Sequence, residues 1–260
     1  MLYSRLQGYA MTEPSQRDDA HPFVRKLQSI ALFTLSDDER AALYALPMQI
    51  AHVDAYQDIE RERDRPSRCF ALLDGFASTY KTTRTGKRQV MAYHVPGDVP
   101  DLQSLHLKVL DNSVSTISPC RVGFVQHDAM RALFQAHPRI GLAFWRMTLI
   151  DAALMREWML NIGRREAYAR MAHLFCELIT RLEAVGLVVD RTCPLPMTQP
   201  ELADALGITP VHANRTLRDL KAAELVTLRS RRLAVDDWEG LKTTAEFDPA
   251  YLHFCDQDAE

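Results

Sequence analysis

Two groups of side chains near the end of the chain have the types and spacing to hold a flat, hydrogen-bonding partner with a charged backbone. The first lies in "TQPELADALGITPVHANRTLRDL", residues 198 to 220, and offers Thr198, Gln199, Thr209, Pro210, Val211, His212, Asn214, Arg215 and Arg218. The second is "LRSRRL", which brings Arg229, Arg231 and Arg232 together. An arginine fork donates two parallel hydrogen bonds to a guanine edge or a phosphate. An asparagine amide donates and accepts at once, and a valine offers only methyl groups. This is the chemistry of recognition, not of bond making. The chain shows no nucleophile–base spacing, no phosphate-binding loop and no metal-ligand spacing, so neither catalytic residues nor a metal site are expected.

The elements that must position these residues are legible around Pro210. An interior proline costs a helix about 3 kcal/mol, so the apolar periodicity of residues 202 to 217 cannot be one helix. Thr198 and Glu201 have the spacing of a capping box, and Pro200 falls in the first turn, where a missing N–H is harmless. The first helix therefore runs to Leu206 and ends on Gly207 in a left-handed conformation, with Ile208 as a buried staple. Thr209 caps a second helix whose first residue is Pro210. Ala213, Leu217 and Leu220 then face Leu202, Ala203 and Leu206, leaving Val211, His212, Asn214, Arg215 and Arg218 outside. This is a helix-turn-helix, and "LVTLRSRRLAV" behind it reads as a two-strand wing with a basic tip. A plain helical hairpin used for protein contacts is the alternative.

Upstream, residues 50 to 126 alternate in short strand-like pieces, with "TRTGKR" as a hairpin turn and Pro96-Gly97-Asp98 as punctuation. Ser36 ahead of Asp37, Asp38 and Glu39 predicts a capped helix. Residues 127 to 136 form a short helix ended near Pro138, and helical periodicity continues to Gly186. In it Ile140, Phe144, Met147, Ile150, Leu154 and Trp158 make one stripe, and Ile140, Met147 and Leu154 keep a seven-residue step that reaches Asn161. The stripe is either a core face or a dimer seam, and the heptad step favours the seam. "VVDRTCPLP" reads as a linker before the last third.

Composition sets limits. With 31 basic and 34 acidic residues the net charge is −3, so binding to a polyanion must come from a local patch. The five cysteines stand at least 17 residues apart, which is neither a disulfide framework nor a zinc spacing and suits a reducing compartment. Residues 140 to 162, the most apolar stretch, carry Arg146, Asp151, Arg156 and Glu157, so no membrane span is expected, and the polar start lacks a signal pattern. A cytoplasmic location follows as the expectation.

"TQPELADALGITPVHANRTLRDLKAAELV", with "ALLDGF" and "VPGD" upstream, resembles the Crp/Fnr family of bacterial transcription regulators. The resemblance implies an α+β chain. Residues 1–20 form a polar arm and 21–137 a β-roll, a jelly roll like cyclic-nucleotide-binding domains. Residues 138–186 hold the long dimerisation helix and the next helix, and 187–260 the winged helix-turn-helix. It further implies a homodimer reading a two-fold symmetric double-stranded DNA site, with RNA polymerase as a further partner. The effector pocket would gather Gly97, Asp98, Asp101, Asn112 and Ser113. Where cyclic-AMP-binding members have Gly-Glu and Arg-Ser pairs, this chain has Pro100-Asp101 and Asn112-Ser113. The charge that pairs with a cyclic phosphate is thus absent, Lys108 being the nearest substitute, so little cyclic AMP binding is expected. No cysteine precedes Cys69, which removes the N-terminal iron–sulfur ligands of the oxygen-sensing members. One axial histidine would suffice for haem, but His94 and His106 are expected to be structural or solvated, so no cofactor is expected. A small-molecule, redox or haem sensor whose effector is not a cyclic nucleotide stays open, with Cys193 the thiol best placed for a redox role. The opening of the second helix also departs, with Pro210-Val211 where members commonly carry Arg-Glu or Ser-Glu.

Overall fold

A computed structural model describes residues 22–255; the polar arm assigned to residues 1–20 lies outside them. The chain divides into two compact units. One takes the chain up to Thr79 together with His94–Thr148, and the other takes Tyr80–Tyr93 together with the chain from Leu149.

The first unit opens with α1 (Pro22–Ile30) and α2 (Asp37–Tyr44). The Ser36 capping box forms as its spacing predicts: Glu39 N–H donates to Ser36 Oγ at 3.2 Å and Ser36 N–H to Glu39 Oε2 at 2.8 Å. Seven strands follow: β1 (Gln49–Val53), β2 (Asp58–Glu60), β3 (Arg68–Asp74), β4 (Ala77–Thr82), β5 (Arg88–His94), β6 (Ser113–Thr116) and β7 (Cys120–Gln126). They form an antiparallel sheet β1-β7-β3 and a four-stranded sheet β2-β6-β4-β5. Val53, Phe70, Leu72, Val114, Val122 and Phe124 fill the roll's core, with the rings of Phe70 and Phe124 at 6.0 Å. Then come α3 (His127–Ala136) and the 27-residue α4 (Pro138–Arg164), which starts in this unit and continues into the other.

The second unit holds the tip of the β4–β5 hairpin, the end of α4, α5 (Ala167–Glu183), β8 (Thr192–Pro194), α6 (Gln199–Leu206), α7 (Pro210–Ala222), β9 (Val226–Arg229), β10 (Arg232–Val235), α8 (Trp238–Ala245) and a 3-10 turn, Pro249–Leu252. Here α5 packs against α6, α7 and α8, so it belongs to the C-terminal unit and not to a separate dimerisation segment of 138–186. The expected linker is also corrected. Thr192, Cys193 and Pro194 pair with Ala234, Leu233 and Arg232 as an edge strand of the wing sheet, in the order β8-β10-β9. Its prolines concealed it, yet an edge is where a strand tolerates them.

The predicted dimer stripe needs the largest correction. Ile140, Phe144, Met147, Ile150, Leu154 and Trp158 are all buried within the chain itself. Phe144 meets Phe23 and Phe134, and Trp158 meets Tyr93 edge-on and donates from Nε1 to Glu177 Oε2 at 2.9 Å. Asn161, expected to set register on a seam, instead bonds His173 at 3.0 Å and accepts from Arg165 at 2.7 Å. The apolar side chains left outside are others on the same helix: Leu142, Trp145, Leu149, Met155, Met159, Leu160 and Ile162. A helix apolar on two sides carries two stripes, and periodicity cannot say which of them faces inward.

Candidate nucleic-acid interface

The turn that positions the recognition residues forms residue by residue as its chemistry dictates. Thr198 and Glu201 make the capping box at the start of α6, with Thr198 N–H donating to Glu201 Oε2 at 2.6 Å. Gly207 ends the helix at φ 65°. Thr209 Oγ1 accepts from His212 N–H at 3.2 Å and caps α7, with Pro210 in its first turn. Leu202, Ala203 and Leu206 are buried against Ala213, Leu217 and Leu220. Ile208 is only half-buried, so the staple is looser than the sequence suggests.

The last four carbonyls of a helix lack partners inside it. In α6 all four find one. Ala203 O accepts from Gly207 and Ile208 N–H. Asp204 O and Ala205 O accept from Gln89 Nε2 at 2.8 and 3.2 Å, and Leu206 O accepts from Arg170 of α5. Tyr93 OH also donates to Glu201 O at 2.9 Å. Gln89, Tyr93 and Arg170 are positioning residues that the sequence reading missed. The contacts from β5 to α6 span 108 to 116 residues, and no local pattern signals them.

On the outer side of α7, Val211 is 82% exposed, Arg215 and Arg218 are exposed, and His212 and Asn214 are half-buried. Asn214 Nδ2 donates to Gln199 Oε1 at 2.7 Å, joining the two helices and leaving Asn214 Oδ1 to accept from a partner. The wing turns through Ser230 and Arg231, both with positive φ (50° and 58°), the conformation of a tight two-residue hairpin loop. Arg229, Arg231 and Arg232 are exposed around that tip.

Four of the five candidate pocket residues of the roll are engaged internally, and the fifth, Asn112, is buried. Gly97 has φ 100°, and a Cβ there would lie 2.6 Å from Pro22 O, so only glycine fits under α1. Asp98 pairs with Lys26 Nζ at 3.2 Å and accepts from Val95 N–H at 2.9 Å. Asp101 is fully buried and accepts from Phe70 N–H at 3.0 Å. Burial, reinforced by the charge of Asp101, raises Glu60 far above the carboxylate range, and burial raises Asp101 as well. One proton held between the two carboxyls accounts for Glu60 Oε2 and Asp101 Oδ2, which otherwise lack a hydrogen-bond partner among the described residues. Ser113 Oγ accepts from Glu62 N–H at 3.0 Å, Asn112 is buried, and Lys108 is exposed. His94 is held by Thr79 Oγ1 at 2.7 Å, while His106 is exposed. Cys193 is buried at 0% exposure, and burial pushes its thiol up to about 12.

Known proteins share both halves of this arrangement. Residues 51–137 match the cyclic nucleotide-binding domain and residues 169–244 the Crp-like helix-turn-helix domain. The chain belongs to the Crp/Fnr family of transcription regulators. Among curated relatives it is 27% identical to the transcriptional activator protein FnrL of Cereibacter sphaeroides, over 62% of this chain and 66% of that one, just under two thirds of its length. It is 25% identical to the nitrogen fixation regulation protein FixK of Azorhizobium caulinodans, over 66% of this chain and 69% of that one. Among solved structures, FixK2 from Bradyrhizobium japonicum superposes with a TM-score of 0.70 at 22% identity, covering 76% of this chain and 98% of that one, which shows the fold. No helix among the described residues is long and apolar enough to cross a membrane.

Proposed function

We propose that the chain acts in the cytoplasm as a homodimer that binds a two-fold symmetric site in double-stranded DNA and regulates transcription, with RNA polymerase as a further partner. The observation that carries this reading is the outer side of α7, where Val211, Arg215 and Arg218 stand exposed, in one unit with the three arginines of the wing tip. Helices of this kind enter the major groove, and a basic wing grips phosphates. The second copy would dock on the outer face of α4, where Leu142, Trp145, Leu149 and Met159 recur at steps of three, four and ten residues, matching a seven-residue repeat. Titration of duplex binding against salt is the test: affinity should fall steeply as phosphates are neutralised, and a flat response would favour a protein-interaction module.

The effector of the roll is not cyclic AMP in this reading. Asp98 is already paired with Lys26, Asp101 shares its burial with Glu60, and Asn112 brings no positive charge. Calorimetry should find binding weaker by one to two decades than a charge-assisted phosphate contact would allow, since such a bond contributes roughly 1.5–3 kcal/mol. Iron–sulfur and haem chemistry also fit poorly. Burial raises the thiols of Cys69, Cys120, Cys176 and Cys193 above their ordinary range, disfavouring thiolate ligands, and His94 is committed to Thr79. A small molecule other than cyclic AMP is the signal proposed for the roll.

A further inference from the structure

The geometry points to Val211 as a reader of the C5-methyl group of a pyrimidine, so that this regulator accepts thymine or 5-methylcytosine at one position of each half-site and discriminates against unmethylated cytosine. The inference rests on the duplex-binding reading above and adds the chemistry that is read. Val211 is the most exposed large apolar side chain among the described residues, at 82%. It occupies the second position of α7, behind the Thr209 cap and Pro210, in the N-terminal turn from which recognition helices reach base edges. The first turn of α7 contains no acidic residue, so nothing there accepts from the amino group of cytosine. Two nearby donors are already directed elsewhere, Asn214 Nδ2 to Gln199 and the backbone N–H of His212 to Thr209, while Asn214 Oδ1 stands one turn further along the helix than Pro210. An exposed isopropyl group at this place complements the one apolar feature of the major groove, the methyl carbon at C5 of a pyrimidine. Thymine and 5-methylcytosine present that carbon alike, and uracil and cytosine lack it.

The test uses the full chain and the duplex it selects from a random library. Each thymine is replaced singly by uracil, which removes one methyl group and keeps the base pair, and each duplex is titrated with the wild type and with Val211→Ala. One thymine per half-site should lose about fourfold in affinity on replacement, the value of one buried carbon. Val211→Ala should bind the thymine and uracil duplexes alike. At the same position cytosine should bind weakly and 5-methylcytosine should restore affinity. Equal losses for wild type and Val211→Ala at every thymine would overturn the proposal while leaving duplex binding intact. A chain that binds no duplex at all would overturn the parent reading, and this inference with it. Because the side chain is exposed, Val211→Ala keeps the fold, which the unchanged salt dependence of its binding to a scrambled duplex will report.

Discussion

In the proposed function, Arg215 and Arg231 would divide between them the two tasks a duplex sets. Arg215 lies one turn beyond Val211 on the outer side of α7, the side proposed to read base edges, whereas Arg231 sits in the wing turn, proposed to meet only sugar and phosphate. Arg215→Ala should cost about 1–3 kcal/mol on the preferred duplex and relax preference at one base pair per half-site. Arg231→Ala should weaken every duplex alike and lower the salt slope by about one unit per wing, about two per dimer. Salt titrations of both variants on preferred and scrambled duplexes check this; equal losses for Arg215→Ala on both would remove it as a base reader. Glu60 sets a different kind of prediction. Its carboxyl and that of Asp101 are raised in the folded chain. Above the ordinary carboxylate range of about 4 the folded state therefore holds more protons than the unfolded one, and stability falls as pH rises. Glu60→Gln keeps the neutral form, so its melting temperature should exceed that of the wild type at about pH 8, with the difference shrinking toward about pH 5. A gain equal at both pH values would show that the pair does not titrate.

At the scale of elements, local chemistry was legible and distant chemistry was not. The caps by Ser36, Thr198 and Thr209 and the glycine at 207 form as the residue types dictate, because each bond closes within a few residues. Gln89, Tyr93 and Arg170 could not be found that way, since a side chain capping a helix from a distant segment leaves no spacing to recognise. The strand β8 escaped notice because proline argues against a strand except at an edge. The α6 terminus turns this into a measurement. Gln89→Ala leaves the carbonyls of Asp204 and Ala205 without their donor and should destabilise the second unit by about 1–2 kcal/mol in chemical denaturation. Gly207→Ala should cost a similar amount, about 1–2 kcal/mol, by forcing a Cβ into a left-handed conformation. If Gln89→Ala were neutral, water would be replacing the amide and the contact would carry no stability.

For the whole molecule, the stripe expected to form a dimer seam faces inward. It is core, as the contacts of Phe144 and Trp158 show, and the outer residues are interspersed with Arg156 and other polar groups that blur their periodicity. The domain boundaries were misplaced for a related reason: a division at residue 138 follows the change from strand to helix, while packing assigns α5 to the winged helix and residues 80–93 to the second unit. Trp145→Glu with Met159→Glu places charges on the outer face of α4 without touching the core. The double variant should sediment as a monomer at micromolar concentration and lose preference for two-fold symmetric sites over half-sites. A wild-type chain that is itself a stable monomer would overturn the docking face.

The hairpin that caps α6 also fixes an order of events in time. A ribosome delivers residues 80–93 well before α6, with 115 positions separating Gln89 from Asp204. At ordinary elongation rates that interval is on the order of ten seconds. During it Gln89 has no helix end to cap, and the α6 terminus is completed only when most of the chain has been made. A gene fragment beginning at residue 149 would encode the helix-turn-helix without the amide that caps its first helix, so a single cut would leave the carbonyls of Asp204 and Ala205 to solvent.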